Sequence, residues 1–218
     1  VAPHLEFEAL ALASGPVVGI DEVGRGALAG PVAVGAVLIS ALDAIPKGLD
    51  DSKELSASQR EALVQPILDW CDASAVGMAS AEEIDDWGLR TALAVAANRA
   101  LSKLGTTPCS ALIDGNLNLL QPSGAMNFST TPLPELPFIF LPSLNVVKGD
   151  HTCASIAAAS VIAKVVRDAL MVEIGEQDSR FGWDRNKGYG APEHLEALKQ
   201  FGPTPMHRRS WALPSMTA

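Results

Sequence analysis

The chain has 218 residues, 48% of them hydrophobic, and a formal net charge of −9. That length holds one domain with a full core, and the composition excludes a disordered or low-complexity chain. Its three cysteines, Cys71, Cys109 and Cys153, form no C-x-x-C pair, which excludes a disulfide framework and a cysteine zinc site and points to reduced thiols.

Net acidity alone argues against a nucleic-acid partner, but the charge is unevenly spread. Residues 180–211 carry six Lys or Arg against three Asp or Glu, a locally basic tail on an acidic body. The apolar run at 9–14 follows Glu6 and Glu8 and no basic segment, so no signal peptide is expected. The apolar stretch from Ala154 to Ile174 carries Lys164, Arg167 and Asp168 and does not read as a membrane span. A cytoplasmic location without a membrane partner follows.

Residues 16–20 and 31–40 read as the first two strands, joined by Asp21-Glu22-Val23-Gly24-Arg25-Gly26-Ala27-Leu28-Ala29-Gly30. Asp50-Asp51-Ser52-Lys53 reads as a polar connector. Ser56 to Gln59 has the spacing of a capping box, which predicts a helix over 57–71. A short strand is expected at 76–79. A second capping box, Ser80 to Glu83, opens a helix over 81–104 that Gly88 divides. Residues 110–113 read as a strand ending on Asp114-Gly115-Asn116. Five prolines between 120 and 143 predict an irregular surface insertion. A strand at 144–147 leads through Lys148-Gly149-Asp150 into a long helix over 152–175, whose Ala157 to Ala159 and Ala163 let it lie close to a sheet. A Gly-rich basic loop at 180–191 and a helix at 192–200 complete the pattern. Strands alternating with helices after a first hairpin predict an α/β fold, a mixed sheet with helices packed on it.

The chemistry gathers where strands give out. Asp and Glu are poor strand formers, yet Asp21-Glu22, Asp114 and Asp150 each follow an apolar run. An isolated acid there is most often a cap or a solvated strand end. Four converging acids could hold two divalent cations for in-line phosphoryl displacement, and hard cations such as Mg²⁺ or Mn²⁺ prefer such oxygen ligands. A Gly-x-Gly turn exposes backbone N–H groups to anions, and Arg25 adds a planar donor fork suited to phosphate. A dinucleotide-binding loop is the rival reading. The glycines at 24, 26 and 30 miss its spacing by one residue, and a strand follows in place of the required helix. Asp168 reads as a structural partner of Lys164, and His207 as a structural histidine.

Taken in order, Gly19-Ile20-Asp21-Glu22-Val23-Gly24-Arg25-Gly26, Asp51-Ser52-Lys53, Leu112-Ile113-Asp114-Gly115-Asn116, Val147-Lys148-Gly149-Asp150, Ser155 to Ser160 with Ala163-Lys164-Val165, Arg167-Asp168, Gly188-Tyr189-Gly190 and His207-Arg208-Arg209-Ser210 closely resemble bacterial ribonuclease HII, a type 2 RNase H family. The resemblance spans about 17 to 211. It implies an RNase H-like fold: a catalytic core over 1–178, with the irregular insertion at 120–143, and a C-terminal basic loop and helical extension over 179–218 completing the substrate groove. It implies cleavage of the RNA strand of RNA–DNA hybrids, and of duplex DNA at embedded ribonucleotides. The cut falls 5′ to the ribonucleotide and leaves a 3′-hydroxyl and a 5′-phosphate. Asp21, Glu22, Asp114 and Asp150 match the family's catalytic, metal-binding acids, with Mn²⁺ or Mg²⁺ as the cation pair. Gly24, Arg25 and Gly26 match the turn that reads the ribose 2′-hydroxyl, and Tyr189 the tyrosine that packs on the adjoining sugar.

Both assignments suit the residues themselves. The 2′-hydroxyl distinguishes RNA from DNA, and Tyr189 is the one tyrosine of the chain, set between two glycines. Lys53, Lys148, Lys187, Arg208 and Arg209 are candidates for phosphate contacts. The chain is expected to act as a monomer. Glu54 and Ala191 depart from the family's usual lysine and threonine, and the stretch between Asp114 and Asp150 is longer than usual. A non-catalytic hybrid-binding module is the remaining alternative; the retained acids argue against it, since without metal they repel phosphate.

Overall fold

The computed structural model describes residues 2–122 and 138–214. A short helix α1 (Glu6–Ala11), for which the sequence pattern gives no sign, precedes β1 (Val17–Val23). β1 pairs antiparallel with β2 (Val32–Ile39), as the expected hairpin requires. It runs on past Ile20, because β2 supplies ladder partners to the end: Asp21 pairs with Gly35, Glu22 with Val34 and Val23 with Ala33. The two acids thus lie within a strand and not after it.

Both capping boxes form. Ser56 and Gln59 exchange side-chain and backbone hydrogen bonds at the start of α2 (Ala57–Trp70). After β3 (Ala73–Ala79), Ser80 and Glu83 do the same at α3 (Ala81–Trp87). Gly88, at φ +76°, separates α3 from α4 (Leu89–Lys103), a backbone conformation that favours glycine. β4 (Ser110–Asp114) lies parallel to β1, and β5 (Ser143–Val146) parallel to β4, giving the sheet order β3-β2-β1-β4-β5. The proline-rich stretch expected at 120–143 falls mostly on 123–137, outside the described residues.

The long helix is divided. One turn, α5 (Gly149–Thr152), is followed by α6 (Ala154–Gln177), with extended backbone at Cys153 between them. The expected basic loop contains a 3-10 turn at Ser179–Phe181 and the one-turn α7 (Trp183–Asn186), before α8 (Pro192–Phe201).

One sheet face packs Val18, Ile20, Val34 and Leu38 against Leu93, Ala96 and Ala97 of α4. The other packs Val17, Val37 and Ile39 against α2 and α6. Each such aliphatic side chain contributes about 1.5–3 kcal/mol on burial. α6 lies directly on the main chain of β1 and β2: a Cβ on Gly19 would fall 2.3 Å from the Ser155 carbonyl carbon, and one on Gly35 2.2 Å from the Ala159 oxygen. A third cluster joins Ala29 and Met171 to Phe181, Trp183, Ala197 and Leu198. Among the described residues, no helix is long and apolar enough to cross a membrane.

Candidate active site

Neighbours on a strand point to opposite faces, and Asp21 and Glu22 do so. Asp21 is buried on the α6 side, where the nearby Ser160 hydroxyl favours its charged form. The Ser160 hydroxyl is itself 2.8 Å from that of Ser52. Asp21 Oδ1 also accepts the Glu22 N–H at 2.8 Å. Glu22 meets Arg25 Nη1 at 3.3 Å.

Asp114 ends β4 and does a second task there. Its Oδ1 accepts the Gly149 N–H at 2.7 Å and the Asp150 N–H at 3.3 Å, so the carboxylate caps α5 and holds Asp150 against β4. A Cβ on Gly149 would fall 2.6 Å from Ile156 Cδ1 and 3.3 Å from that same oxygen, so the approach needs glycine.

Burial lifts the Asp21 carboxyl well above its ordinary pKa, and Glu22, Asp114 and Asp150 add to the rise. Burial likewise raises Glu22, against the opposing pull of Arg25. Burial and the Asp150 charge raise Asp114. The cation closest to Asp150 is Lys53, with Nζ 2.9 Å from Asp150 Oδ2 and 3.7 Å from Asp51 Oδ1. Burial works against the Lys53 charge, but Asp150, Asp51 and Asp21 together lift its pKa. A cavity of about 500 Å³ opens here, lined by Asp21, Glu22, Arg25, Lys53, Asp114 and Tyr189.

The structure therefore brings Asp21, Glu22 and Asp114 to one cavity, with Asp150 just behind Lys53. It does not bring the four to bonding distance of one ion. Among the described residues, the trio of His, Cys, Asp or Glu whose ligand atoms all lie within 4.8 Å is Asp51, Asp150 and His151. Like charges stand apart until a cation intervenes. Hard oxygen donors with raised carboxyl pKa values around one cavity fit a divalent cation of the Mg²⁺ or Mn²⁺ kind.

The glycine turn is held from behind by two buried arginines. Arg208 donates to the carbonyls of Gly24 (2.7 Å), Arg25 (2.9 Å) and Gly30 (3.2 and 3.3 Å). Arg167 donates to Pro31 O at 2.8 Å, Lys187 O at 3.1 Å and Ala29 O at 3.4 Å. Gly24 has φ +87°, and a Cβ on it would fall 2.2 Å from Arg167 Nε. Gly26 is the opposite case, with nothing within 4 Å of a Cβ, so the turn is open on that side. This corrects the expectation for Arg208. It is fully buried with its fork directed at main-chain oxygens, so it shapes the turn and cannot reach a phosphate.

Tyr189 is half-buried at the cavity wall, with Lys164 Nζ 5.6 Å and Arg167 Cζ 5.5 Å from its ring centroid. Lys148 and Arg209 are exposed, whereas the Lys187 ammonium is taken by the Asp184 carbonyl. Asp168 pairs with Lys164 at 2.9 Å and with Arg60 at 4.0 Å. His207 is buried: Nδ1 accepts the Thr204 N–H at 2.9 Å and Nε2 lies 3.0 Å from His194 Nε2. Burial, then His194, pushes its pKa down to about 4, so it is a neutral core group.

Sequence reasoning passed over Asp51, His151, Ser160 and Arg167 as working parts of this region. The signal for Asp51 was its position between Asp50 and Lys53, which reads as a solvated connector; in the structure Asp51 is buried.

A mixed five-stranded sheet of this order, with acids on β1, on β4 and on the helix after β5, is an RNase H-like fold carrying the site of a metal-dependent nuclease. The family model for Ribonuclease HII matches residues 18–213. Ribonuclease HII of Paracoccus denitrificans is 45% identical over 212 residues, 96% of this chain and 92% of that one. Ribonuclease HII of Caulobacter vibrioides is 42% identical over 210 residues, 96% of this chain and 90% of its own length. The crystal structure of ribonuclease H2 from Pyrococcus horikoshii superposes with a TM-score of 0.68 at 27% identity, covering 90% of this chain and 94% of that one. RNase HII from Archaeoglobus fulgidus, solved in complex with PCNA, gives 0.67 at 28% identity, covering 92% and 97%. The chain belongs to the ribonuclease HII family, which are metal-dependent endonucleases.

Proposed function

We propose that this chain cuts the RNA strand of RNA–DNA hybrids, and duplex DNA at embedded ribonucleotides. The cut falls 5′ to the ribonucleotide and leaves a 3′-hydroxyl and a 5′-phosphate. One observation carries the reading: Asp21, Glu22 and Asp114 share a single cavity with Gly24, Arg25, Gly26 and Tyr189. A cluster that handles phosphodiesters thus adjoins a turn able to sense a ribose.

Asp21, Glu22, Asp114 and Asp150 would hold two divalent cations, Mn²⁺ or Mg²⁺, which when bound supply an activated water and stabilise the leaving oxygen. The chain's own residues do the rest. Ser160 orients Asp21, and Asp114 fixes Asp150 through its backbone N–H. The turn at Gly24–Gly26, held by Arg208 and Arg167, presents a rigid polar edge to the 2′-hydroxyl. Tyr189 offers its ring to the sugar of the next nucleotide, steadied by Lys164 and Arg167. Lys53, Lys148 and Arg209 meet phosphates and set the register of the duplex. The basic segment beyond 179 closes the groove, and the chain works as a monomer.

The test is a duplex bearing one ribonucleotide, incubated with Mg²⁺ and with Mn²⁺ in turn, with the cut position mapped. Cleavage on the 5′ side of the ribonucleotide is the expected result. Binding that persists in EDTA, with no cleavage in either cation, would replace this reading with that of a hybrid-binding module.

A further inference from the structure

We propose that Asp51, Asp150 and His151 form a cation position of their own beside the acidic cavity, selective for a transition-metal dication such as Mn²⁺, and that the Lys53 ammonium holds this position until the ion arrives. The inference rests on the reading above in one respect, that Asp150 is a metal ligand. Asp51 and His151 are its new members.

The geometry is that of a chelating trio. One ligand atom from each residue lies within 4.8 Å of the other two. Both carboxylates are buried, and the imidazole is half-exposed, which leaves a path of entry. His151 Nε2 faces Asp51 Oδ2 at 3.4 Å, too far for a good hydrogen bond, so the nitrogen is not committed to that partner. Asp51 Oδ1 accepts the Lys53 N–H at 3.0 Å, which fixes the carboxylate and turns Oδ2 toward the imidazole.

The two carboxylates of the trio already face a cation. Lys53 Nζ sits 2.9 Å from Asp150 Oδ2 and 3.7 Å from Asp51 Oδ1. Its side chain is 71% exposed, so the ammonium is a tethered charge that can swing away without disturbing the core. An incoming dication replaces one positive charge with two and frees the lysine into the cavity whose wall it already forms. The donor set then decides which ion is favoured. Four carboxylates alone suit Mg²⁺ and Mn²⁺ alike, but imidazole suits the transition metals and not Mg²⁺.

Mn²⁺ added to the full chain without nucleic acid, followed by electron spin-echo spectroscopy, tests this directly. Bound Mn²⁺ should show ¹⁴N modulation from one imidazole in the wild type, and that signal should vanish in His151→Ala. Mn²⁺ affinity, titrated by calorimetry, should fall at least about tenfold in His151→Ala, since even an indirect partner of a metal ligand is worth that much. Mg²⁺ affinity should change far less. Lys53→Met should tighten Mn²⁺ binding by roughly tenfold or more, as expected for removing a unit charge about 4 Å away at an effective dielectric of about 20. Wild-type Mn²⁺ without nitrogen modulation, modulation that survives His151→Ala, or unchanged Mn²⁺ affinity in Lys53→Met overturns the proposal. Mn²⁺ held without any nitrogen signal, and lost in Asp114→Asn, would reject this inference and leave the function proposed above standing.

Discussion

Arg208 Nη2 donates a 2.7 Å hydrogen bond to the carbonyl of Gly24, a residue 184 positions earlier in the chain. With the bonds to Arg25 and Gly30, it makes the conformation of the glycine turn a property of the C-terminal segment. Arg208→Lys keeps the charge but cannot span three carbonyls with one ammonium. Hydrogen bonds from a charged group contribute about 1.5–3 kcal/mol each, and the loss of several leaves buried carbonyls unpaired. The variant should lose on the order of 3 kcal/mol in urea unfolding and raise KM for a hybrid duplex. Unchanged stability would mean that the turn holds its own shape.

Asp114→Asn separates charge from position. The amide oxygen still accepts the N–H groups of Gly149 and Asp150, so the fold should persist, with unfolding within about 1 kcal/mol of wild type. Cleavage should fall by about 10³-fold or more, the scale seen when a group that stabilises transition-state charge is lost. Activity within a few-fold of wild type would remove Asp114 from the site.

Asp21 bears on stability against pH. Its folded-state pKa is raised, chiefly by burial and then by its acidic neighbours, so the folded chain binds more protons than the unfolded chain above the ordinary carboxylate range. Its contribution is full at low pH and is lost as pH rises through the raised value. In EDTA, Asp21→Asn should therefore be more stable than wild type at pH 8, with a Tm gain of about 2–4 °C per kcal/mol relieved. The two chains should converge toward pH 4. A variant less stable than wild type at pH 8 would show that Asp21 is satisfied without a cation.

His207 acts in the opposite direction. Burial and His194 depress its pKa to about 4, so its contribution is present above about 6.5 and is lost as pH falls toward 4. Wild type should lose on the order of 3 kcal/mol over that window, and His207→Gln should flatten the slope. Urea midpoints at pH 7 and pH 5 measure the difference; equal slopes in the two chains would place the acid-sensitive group elsewhere.

Tyr189 meets the site through its ring. Tyr189→Phe keeps the face that Lys164 and Arg167 flank, and should retain cleavage within about threefold, whereas Tyr189→Ala removes the ring and with it about 1.5–3 kcal/mol of apolar contact with the sugar. The alanine variant should lose more on a single ribonucleotide in DNA than on continuous RNA. Equal losses on the two substrates would argue against a role at the junction.

Much of this was legible from local chemistry. The capping boxes at Ser56 and Ser80, the break at Gly88 and the hairpin around Gly24–Gly30 are each fixed by a few adjacent residues, and each is present. The pairing of Asp168 with Lys164 is one helical turn and equally local. What was not legible depends on distance. Arg208 reads as a phosphate contact, and Arg167 as one charge of a long helix, until the fold places both beneath the turn. Asp51 reads as part of a polar connector until the fold buries it with His151 and Lys53 beside it. The division of the long helix at Cys153 also has a tertiary cause: main-chain bonds from Ala154 N–H to His4 O and from His4 N–H to Thr152 O hold that junction extended.

The contact of α6 with Gly19 and Gly35 has a consequence for precision. Asp21 rides on the strand and Asp150 just ahead of the helix, and at Gly19 and Gly35 no side chain separates the two elements. The interval between the acids is therefore gauged by main chain against main chain. Even one methyl group at Gly19 or Gly35 acts as a shim that widens it, while substitutions among the aliphatic residues of the opposite face leave it alone. The interval between the acids is in this way set apart from the core on the α4 side of the sheet, which is free to drift without disturbing it.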